Sequence, residues 1–207
     1  MKVGDIKIEA IKLMFTNYGY DLGLDDLSRL AADENYGSYL VNMNGSIARA
    51  LDRIQNACVL PLKRKTLKAS DLITGKGFDR YDTSKISDLF QIDRIAAEYS
   101  NGYYDGNAGY FLEGNMLVLD HNPNVTYILL YYPTIETMNS EVLDSDELWI
   151  PDNIARLIPY FIKGDLYQEE EPELAANARN LFEASLDDIK KRTESKQNYI
   201  EHVYRME

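Results

Sequence analysis

Residues 109–132 read GYFLEGNMLVLDHNPNVTYILLYY, and this stretch decides the fold class. Two apolar runs, 110–112 and 116–119, flank a short polar turn that contains Gly114, which is the pattern of a β-hairpin. A third run at 125–132 is rich in β-branched and aromatic residues, so it predicts another strand. The middle of the chain is therefore expected to form a small antiparallel β unit.

Helical periodicity marks the segments on both sides of this β unit. Apolar residues spaced three and four positions apart predict helices at 6–17 and 38–57. The same spacing returns at 152–167, where Pro159 predicts a kink or a fresh helix start, and at 172–190. The predicted fold class is α+β, with a helical bundle formed by the N- and C-terminal helices and a central small antiparallel β unit.

Length and composition fit a single domain over residues 1–207. A hydrophobic content of 45% is enough to fill a sizeable core without metals or disulfides. The predicted divisions are N-terminal helices, a β-rich insertion, a C-terminal helix pair and a charged tail, at 1–58, 59–140, 141–190 and 191–207. Phe161 and Phe182 lie on the apolar stripes of the last two helices, and these stripes are expected to face each other.

The segment 67–104 carries the weakest pattern in the chain. It is polar and punctuated by glycine, and Leu89 and Ile95 mark at best one strand there. Just before it lies a short basic cluster, which consists of Lys63, Arg64, Lys65 and Lys68. Lysines on a solvated strand edge protect that edge from pairing with other chains, and this role is favoured over nucleic-acid binding.

The balance of charge argues against one class of function. A net charge of −12 and a pI near 4.7 disfavour wrapping around a phosphate backbone, although they permit DNA to pass without being held. The chain has 16 tyrosines, which suit subunit interfaces because their rings pack while their hydroxyls stay hydrated. No run approaches the roughly 18 apolar residues of a membrane span, and the first residues lack a secretory signal. The expected product is soluble and made in a reducing cytoplasm.

No strong catalytic, cofactor or metal motif is found in the sequence. The GKG at 75–77 lacks the flanking residues of a phosphate-binding P-loop, so it predicts a flexible turn. The histidines, His121 and His202, stand far apart and form no zinc-ligand spacing with Cys58. His121 is expected in the turn that closes the hairpin, and Cys58 is expected to be a buried thiol. No catalytic, cofactor-binding or metal-binding residues are therefore predicted, and the chain is not expected to be an enzyme.

The most informative segment for function is 146–190. It contains ELWIP at 147–151, LIPYFIKGDLY at 157–167 and EPELA at 171–175. This segment resembles the C-terminal part of the head-to-tail connector proteins of tailed bacteriophages, which are also called adaptor or tail accessory proteins. The order of the preceding elements is similar too, with N-terminal helices, an insertion and a strand pair like YFLEGNML at 110–117.

The resemblance implies a structural virion protein of the neck or tail region, made in the host cytoplasm. Its subunits would form a ring, commonly of about twelve copies, beneath the portal, and the genomic DNA would pass through this ring. The implied partners are other copies of the chain, the portal protein and tail or neck proteins, with no membrane. The charged tail at 191–207 is either a helix extension or an arm that orders on a neighbouring ring.

A ring subunit needs two different complementary faces, because head-to-tail contacts close by rotation. The candidate contact residues are four paired tyrosines, Tyr103, Tyr104, Tyr131 and Tyr132. Paired aromatic residues beside a strand end or a glycine turn offer rigid contact area at low entropic cost. The alternative for these residues is local packing, since strand tyrosines often cover a sheet.

Three other functions stay open at this point. The first is a different virion neck or tail-completion protein, although the helical stripes at both ends favour the connector. The second is a carbohydrate hydrolase that uses a pair of carboxylates among the 34 acidic residues. The third is a host binding module that presents its tyrosine-rich strands to a peptide or protein.

Overall fold

The computed structural model describes residues 1–15, 23–136 and 142–204, with side chains described up to residue 193. Contacts divide the chain into two compact units. The helical unit joins Met1–Val59 to Ile135–Glu194, and the strand unit comprises Leu60–Thr134 with Ser195–Glu207. Whether both units unfold together as one domain stays a prediction.

Six α-helices lie in the described part of the chain, and most of them were predicted. Their bounds are Val3–Met14 for α1, Leu27–Ala31 for α2, Gly37–Ala57 for α3, Asp152–Ala155 for α4, Ile158–Leu166 for α5 and Pro172–Tyr204 for α6. The predicted helices at 38–57 and 172–190 are confirmed, and α6 continues past its predicted end. The predicted helix at 6–17 is confirmed as far as Met14, and its residues 16 and 17 lie outside the described residues.

Pro159 has the predicted effect on the helical pattern of 152–167. The pattern is split into α4 and α5, and the proline occupies the first turn of α5. A proline is tolerated there because the first backbone N–H groups of a helix have no partner within it. The expected fresh helix start is therefore confirmed.

The core of the helical unit forms where α5 packs against α1 and α3. Phe161 and Phe182 meet edge to face, with ring centroids 5.1 Å apart and planes at 66°, so the predicted facing of the two stripes is confirmed. The last carbonyls of α1 gain donors from α5 and the residue that follows it. Lys163 Nζ donates to the Leu13 carbonyl at 2.6 Å, and Tyr167 Oη donates to the Met14 carbonyl at 2.7 Å.

The strand unit overturns the predicted architecture. Its eight described strands are β1 Lys63–Leu67, β2 Ile73–Thr74, β3 Phe78–Asp82, β4 Leu89–Tyr99, β5 Tyr104–Ala108, β6 Tyr110–Glu113, β7 Met116–Asp120 and β8 Val125–Pro133. They form two antiparallel four-stranded sheets, in the orders β1-β8-β4-β5 and β2-β3-β7-β6. The prediction of a helical bundle with one small central β unit is therefore wrong. The fold is α+β, and its strands build a substantial core of their own.

The hairpin at the centre of the sequence is present, but its surroundings differ from the prediction. β6 and β7 pair from Tyr110↔Leu119 to Glu113↔Met116, and Gly114 takes the left-handed conformation that the tight turn requires, with φ +62°. β8 does not join this hairpin, because it pairs with β1 and β4 in the other sheet. The expected single β unit over 109–132 is thus divided between two sheets.

The inner faces of both sheets share one apolar core. Alternate residues of the central strands point into it, as the period of two along a strand requires. Its buried members are Leu67, Tyr81, Ile95, Ala97, Leu117, Leu119, Tyr127, Leu129 and Tyr131. The chain passes from one sheet to the other directly, through Gly109 between β5 and β6 and through the short helical turn Ala69–Asp71 between β1 and β2.

The segment 67–104 is far richer in strands than predicted, since it contains β2, β3 and β4. The prediction of at best one strand there is wrong. The predicted solvated strand edge is confirmed for Lys63, Arg64 and Lys65, because β1 is an edge strand whose first four residues are exposed while Leu67 is buried; the role of the cluster at this edge stays a prediction.

Candidate interaction surfaces

His121 is the residue most suggestive of catalysis, and its geometry is that of a structural pair. It follows β7 directly, in the turn where the sequence predicts it, and its backbone N–H donates to the Gly77 carbonyl at 3.1 Å. Its Nδ1 lies 3.0 and 3.1 Å from the two carboxylate oxygens of Asp79, which is only 4% exposed. Among the described residues, Asp79 is the only hydrogen-bond partner of the His121 side chain, so no hydroxyl or thiol is placed beside it for activation. The pair satisfies a buried carboxylate and ties β3 to the end of β7.

Cys58 and the acidic residues are the remaining candidates for a reactive or metal-binding site. Cys58 is half-buried rather than buried as expected, and it ends α3 in the left-handed conformation, with φ +53°. Over residues 1–15, 23–136 and 142–204, no group of three or more His, Cys, Asp and Glu side chains is arranged to hold a metal ion. None of the described helices is both long and apolar enough to cross a membrane.

The four candidate contact tyrosines are in two different environments. Tyr103 and Tyr104, at the turn between β4 and β5, are 61% and 40% exposed, so their role as contact residues stays a prediction. Tyr131 and Tyr132 on β8 are 6% and 8% exposed, so the prediction that they are contact residues is wrong. Tyr131 is part of the core, and its hydroxyl donates to Asp88 at 3.0 Å. Burial and this hydrogen bond raise the pKa of Tyr131 to about 12.

Several other tyrosines also serve internal packing rather than interfaces. In the helical unit, Phe15 is surrounded edge to face by Tyr36, Tyr39 and Tyr167. The hydroxyl of Tyr39 hydrogen-bonds to Glu170, and this bond, with burial, raises the pKa of Tyr39 to about 12. The count of 16 tyrosines therefore overstates the aromatic area available for contacts.

One exposed apolar surface lies on the outside of the sheet β2-β3-β7-β6, and we call it the outer patch. It consists of Ile73, Phe78 and Phe111, which are 58%, 42% and 48% exposed. The register Ile73↔Arg80↔Val118↔Phe111 places Ile73 and Phe111 in one row on the face opposite to Leu117 and Leu119, and Phe78 lies on the same face two residues before Arg80. The rings of Phe78 and Phe111 meet edge to face with centroids 6.2 Å apart. Contiguous exposed apolar side chains of this kind mark contact surfaces.

A second surface surrounds the single tryptophan, and we call it the Trp149 groove. Trp149 is 86% exposed and borders a groove of about 320 Å³. The floor and walls include Leu51, Ile135, Leu148 and Ile150, and the rim carries Glu136, Asp146 and Glu147. In the described part of the chain none of these three carboxylates has an ion-pair partner.

The segment that carries Trp149 is held in place by the start of the chain. The N–H of Val3 donates to the Asp146 carbonyl at 2.9 Å, and the N–H of Leu148 donates to the Met1 carbonyl at 3.1 Å. Lys2 forms an antiparallel bridge with Glu147. These bonds fix the backbone of the three residues that directly precede Trp149, so the exposed ring belongs to an anchored segment. Trp149 lies in the segment 146–190 that carries the resemblance, but the sequence pattern did not predict an exposed surface around it. The acidic residues beside Trp149 are the sequence signal that could have indicated this surface.

Comparison with known proteins adds no assignment, because no protein-family model and no curated protein matches this chain.

Proposed function

We propose that this chain is a head-to-tail connector subunit of a tailed bacteriophage, which forms a ring beneath the portal and lets genomic DNA pass without chemistry. The observation that carries the proposal is the construction of the helical unit. The segment 146–190, on which the resemblance rests, supplies α4, α5 and most of α6; α5 packs with the N-terminal helices α1 and α3, and the strand unit is inserted between the two halves of the helical unit in the chain order. That chain order is the one the resemblance implies. Its partners are then other copies of the chain, the portal and tail or neck proteins, and its location is the virion neck or tail.

Two unlike exposed surfaces support an assembly role. The outer patch is apolar except for Arg80, which lies in its row and forms an ion pair with Glu113, whereas the Trp149 groove combines an indole with carboxylates. Head-to-tail contacts in a ring require two different faces on each subunit, and contacts with a second ring require more. Trp149 is 86% exposed, and tryptophan is among the residues enriched at protein interfaces.

Charge supports the passage of DNA rather than its binding. The chain carries 34 acidic against 22 basic residues, a net charge of −12. Repeated around a channel, this charge repels the phosphate backbone and prevents tight binding.

The test is to mix the purified chain with the portal protein of the same virus and to image the particles by electron microscopy. The expected result is an added ring of density on one face of the portal, which is absent from the portal imaged alone. Portal particles that gain no density at saturating concentrations of the chain would contradict the proposal. Release of sugars from host envelope polysaccharide by the purified chain would instead favour the hydrolase.

A further inference from the structure

The Trp149 groove has the chemistry of a receptor for a cationic side chain. An indole face attracts a guanidinium or ammonium group through its quadrupole, and tryptophan is the strongest of the aromatic side chains in this role. Glu136, Asp146 and Glu147 surround the exposed ring with three negative charges that no described cation neutralises. The apolar floor, which includes Leu51, accepts the aliphatic stem of an arginine or lysine.

The same chain carries the complementary group on its strand unit. Lys63 is paired with Asp88 at 2.5 Å, but Arg64, Lys65 and Lys68 are exposed and have no ion-pair partner among the described residues. They form a local excess of positive charge on a chain whose net charge is −12. Arg64 and Lys65 belong to the edge strand β1 and exposed Lys68 directly follows it, so another molecule can reach all three at the margin of the sheet.

We propose that in the ring the basic cluster of one copy docks into the Trp149 groove of the next copy. The guanidinium of Arg64 stacks on the indole of Trp149, and Lys65 and Lys68 lie against Glu136, Asp146 and Glu147. Each copy then contributes a cationic edge from its strand unit and an acidic aromatic groove from its helical unit, and two unlike surfaces of this kind form the heterologous contact that a closed ring repeats. This inference rests on the proposed connector function, since it names the contact by which the ring forms.

Charge complementarity favours this occupant over nucleic acid. The groove is acidic and repels phosphate, while the basic cluster is too short to hold DNA against the field of the whole chain. Opposite charges at the rim of an interface also select the partner and the register, because a wrong pairing would bring like charges together. The indole at the centre supplies the desolvated contact on which affinity depends.

The first experiment is a charge reversal assayed by ring formation on the portal. Two double variants, Arg64→Glu with Lys65→Glu and Asp146→Lys with Glu147→Lys, are each expected to lower the fraction of portals that carry a ring by roughly tenfold or more. The two variant chains mixed in equal amounts still contain unmatched junctions, so the rescue uses one chain with all four changes, which is expected to restore rings. Lys76→Glu is the matched control, because Lys76 is exposed in a turn outside the basic cluster, and it is expected to leave ring formation unchanged.

The second experiment reads the groove in the unaltered protein, so it does not depend on how the variants fold. The chain is labelled with fluorotryptophan, which reports Trp149 alone because the sequence has one tryptophan. Fluorine NMR of the free chain is expected to show a solvent-exposed resonance whose sensitivity to heavy water disappears when the labelled chain assembles on the unlabelled portal.

The outcomes separate the two proposals. If wild-type chains form no ring on the portal, the connector function fails, and the proposed contact fails with it. If rings form but Trp149 keeps its exposed resonance, the connector function stands and the proposed contact is overturned. The same conclusion follows if the chain with all four substitutions folds normally but forms no rings while the wild-type chain does.

Discussion

Phe182→Ala tests the packing of α5 against α6, where Phe182 meets Phe161 edge to face. Phe182 is 1% exposed and is the largest of the fully buried side chains. Truncation of such a phenylalanine costs about 3–5 kcal/mol of unfolding free energy, through lost transfer energy and the cavity left behind. Its edge-to-face contact with Phe161 accounts for about 0.5–1.5 kcal/mol of that loss. Phe161 is only half-buried, so Phe161→Ala is expected to cost less than Phe182→Ala.

The measurement is urea unfolding followed by far-ultraviolet circular dichroism. Tryptophan fluorescence is a poor probe, because Trp149 is 86% exposed in the folded chain and changes little on unfolding. The matched control is Leu181→Ala, which removes an adjacent side chain of α6 that is 55% exposed and should cost within about 0.5 kcal/mol. In thermal melts the expected cost of Phe182→Ala corresponds to a loss of roughly 6–20 °C. Equal midpoints for Phe182→Ala and Leu181→Ala would refute the assignment of α6 to this core.

Three further substitutions test other parts of the structure. Gly164→Ala is expected to destabilise the chain by about 1–2 kcal/mol despite the better helix propensity of alanine, because its Cβ would lie 2.5 Å from Arg179 Cγ and 3.1 Å from the Ala175 carbonyl oxygen. The same change at exposed Gly45 in α3 should stabilise the chain by about 0.5–1 kcal/mol. Equal shifts in urea midpoint for the two variants would contradict this expectation. Tyr131 has a pKa of about 12 in the folded chain against an ordinary value of 10.0, so its contribution to stability is complete below pH 10 and is lost as the pH rises towards 12. In Tyr131→Phe, the urea midpoint should therefore fall less between pH 10 and pH 12 than it does in the unaltered chain. His121→Ala leaves buried Asp79 without its partner and should lower the free energy of unfolding by about 1–3 kcal/mol. The variant should still complement a virus that lacks the gene, and loss of infectivity with normal folding and particle assembly would indicate chemistry at His121.

The helices could be predicted because their signals are local. Apolar residues recur along α3 at helical spacing, and its buried positions include Leu40, Met43, Ile47 and Ile54. In the same way Pro172 marks the first turn of α6, and Pro159 marks the restart at α5. Each of these signals depends on residues within a few positions of each other, so a single sequence is enough to read them.

The strands of 67–104 could not be predicted because their pattern is irregular or inverted. In β3 the polar residue Asp79 is 4% exposed while Phe78 is 42% exposed, so alternation read as apolar-inside assigns the wrong face. In β4 the register shifts between Leu89 and Gln91 and again between Ile92 and Arg94, and each shift interrupts the period of two. His121, the hydrogen-bond partner of the inward carboxylate, lies 42 positions from Asp79 in the sequence.

The contact surfaces depend on even longer separations. The Trp149 groove exists because residues 146–148 bond to residues 1–3, and because Leu51 of α3 lies along the same groove. The acidic neighbours of Trp149 are a local signal, but they do not predict the groove itself. Tyr131 and Tyr132 could not be assigned for a similar reason. A pair of tyrosines in a strand suits an interface as well as a core, and only the pairing of β8 with β1 and β4 shows that these two are buried.

Strand β3, in which Asp79 is buried and Phe78 is exposed, gives a physical reason for the chain to bind a partner. Burying Asp79 requires His121 as a compensating group, and the same register turns Phe78 outward beside Phe111 and Ile73. Apolar area left in water forgoes about 25 cal/mol for each Å², so three outward apolar side chains weaken the isolated chain relative to polar ones. A subunit that is covered by neighbours recovers this energy on assembly, whereas a free enzyme or module does not. The outer patch is therefore better suited to a contact in an assembly than to a solvated surface, which agrees with a connector that makes contacts beyond the one proposed at Trp149.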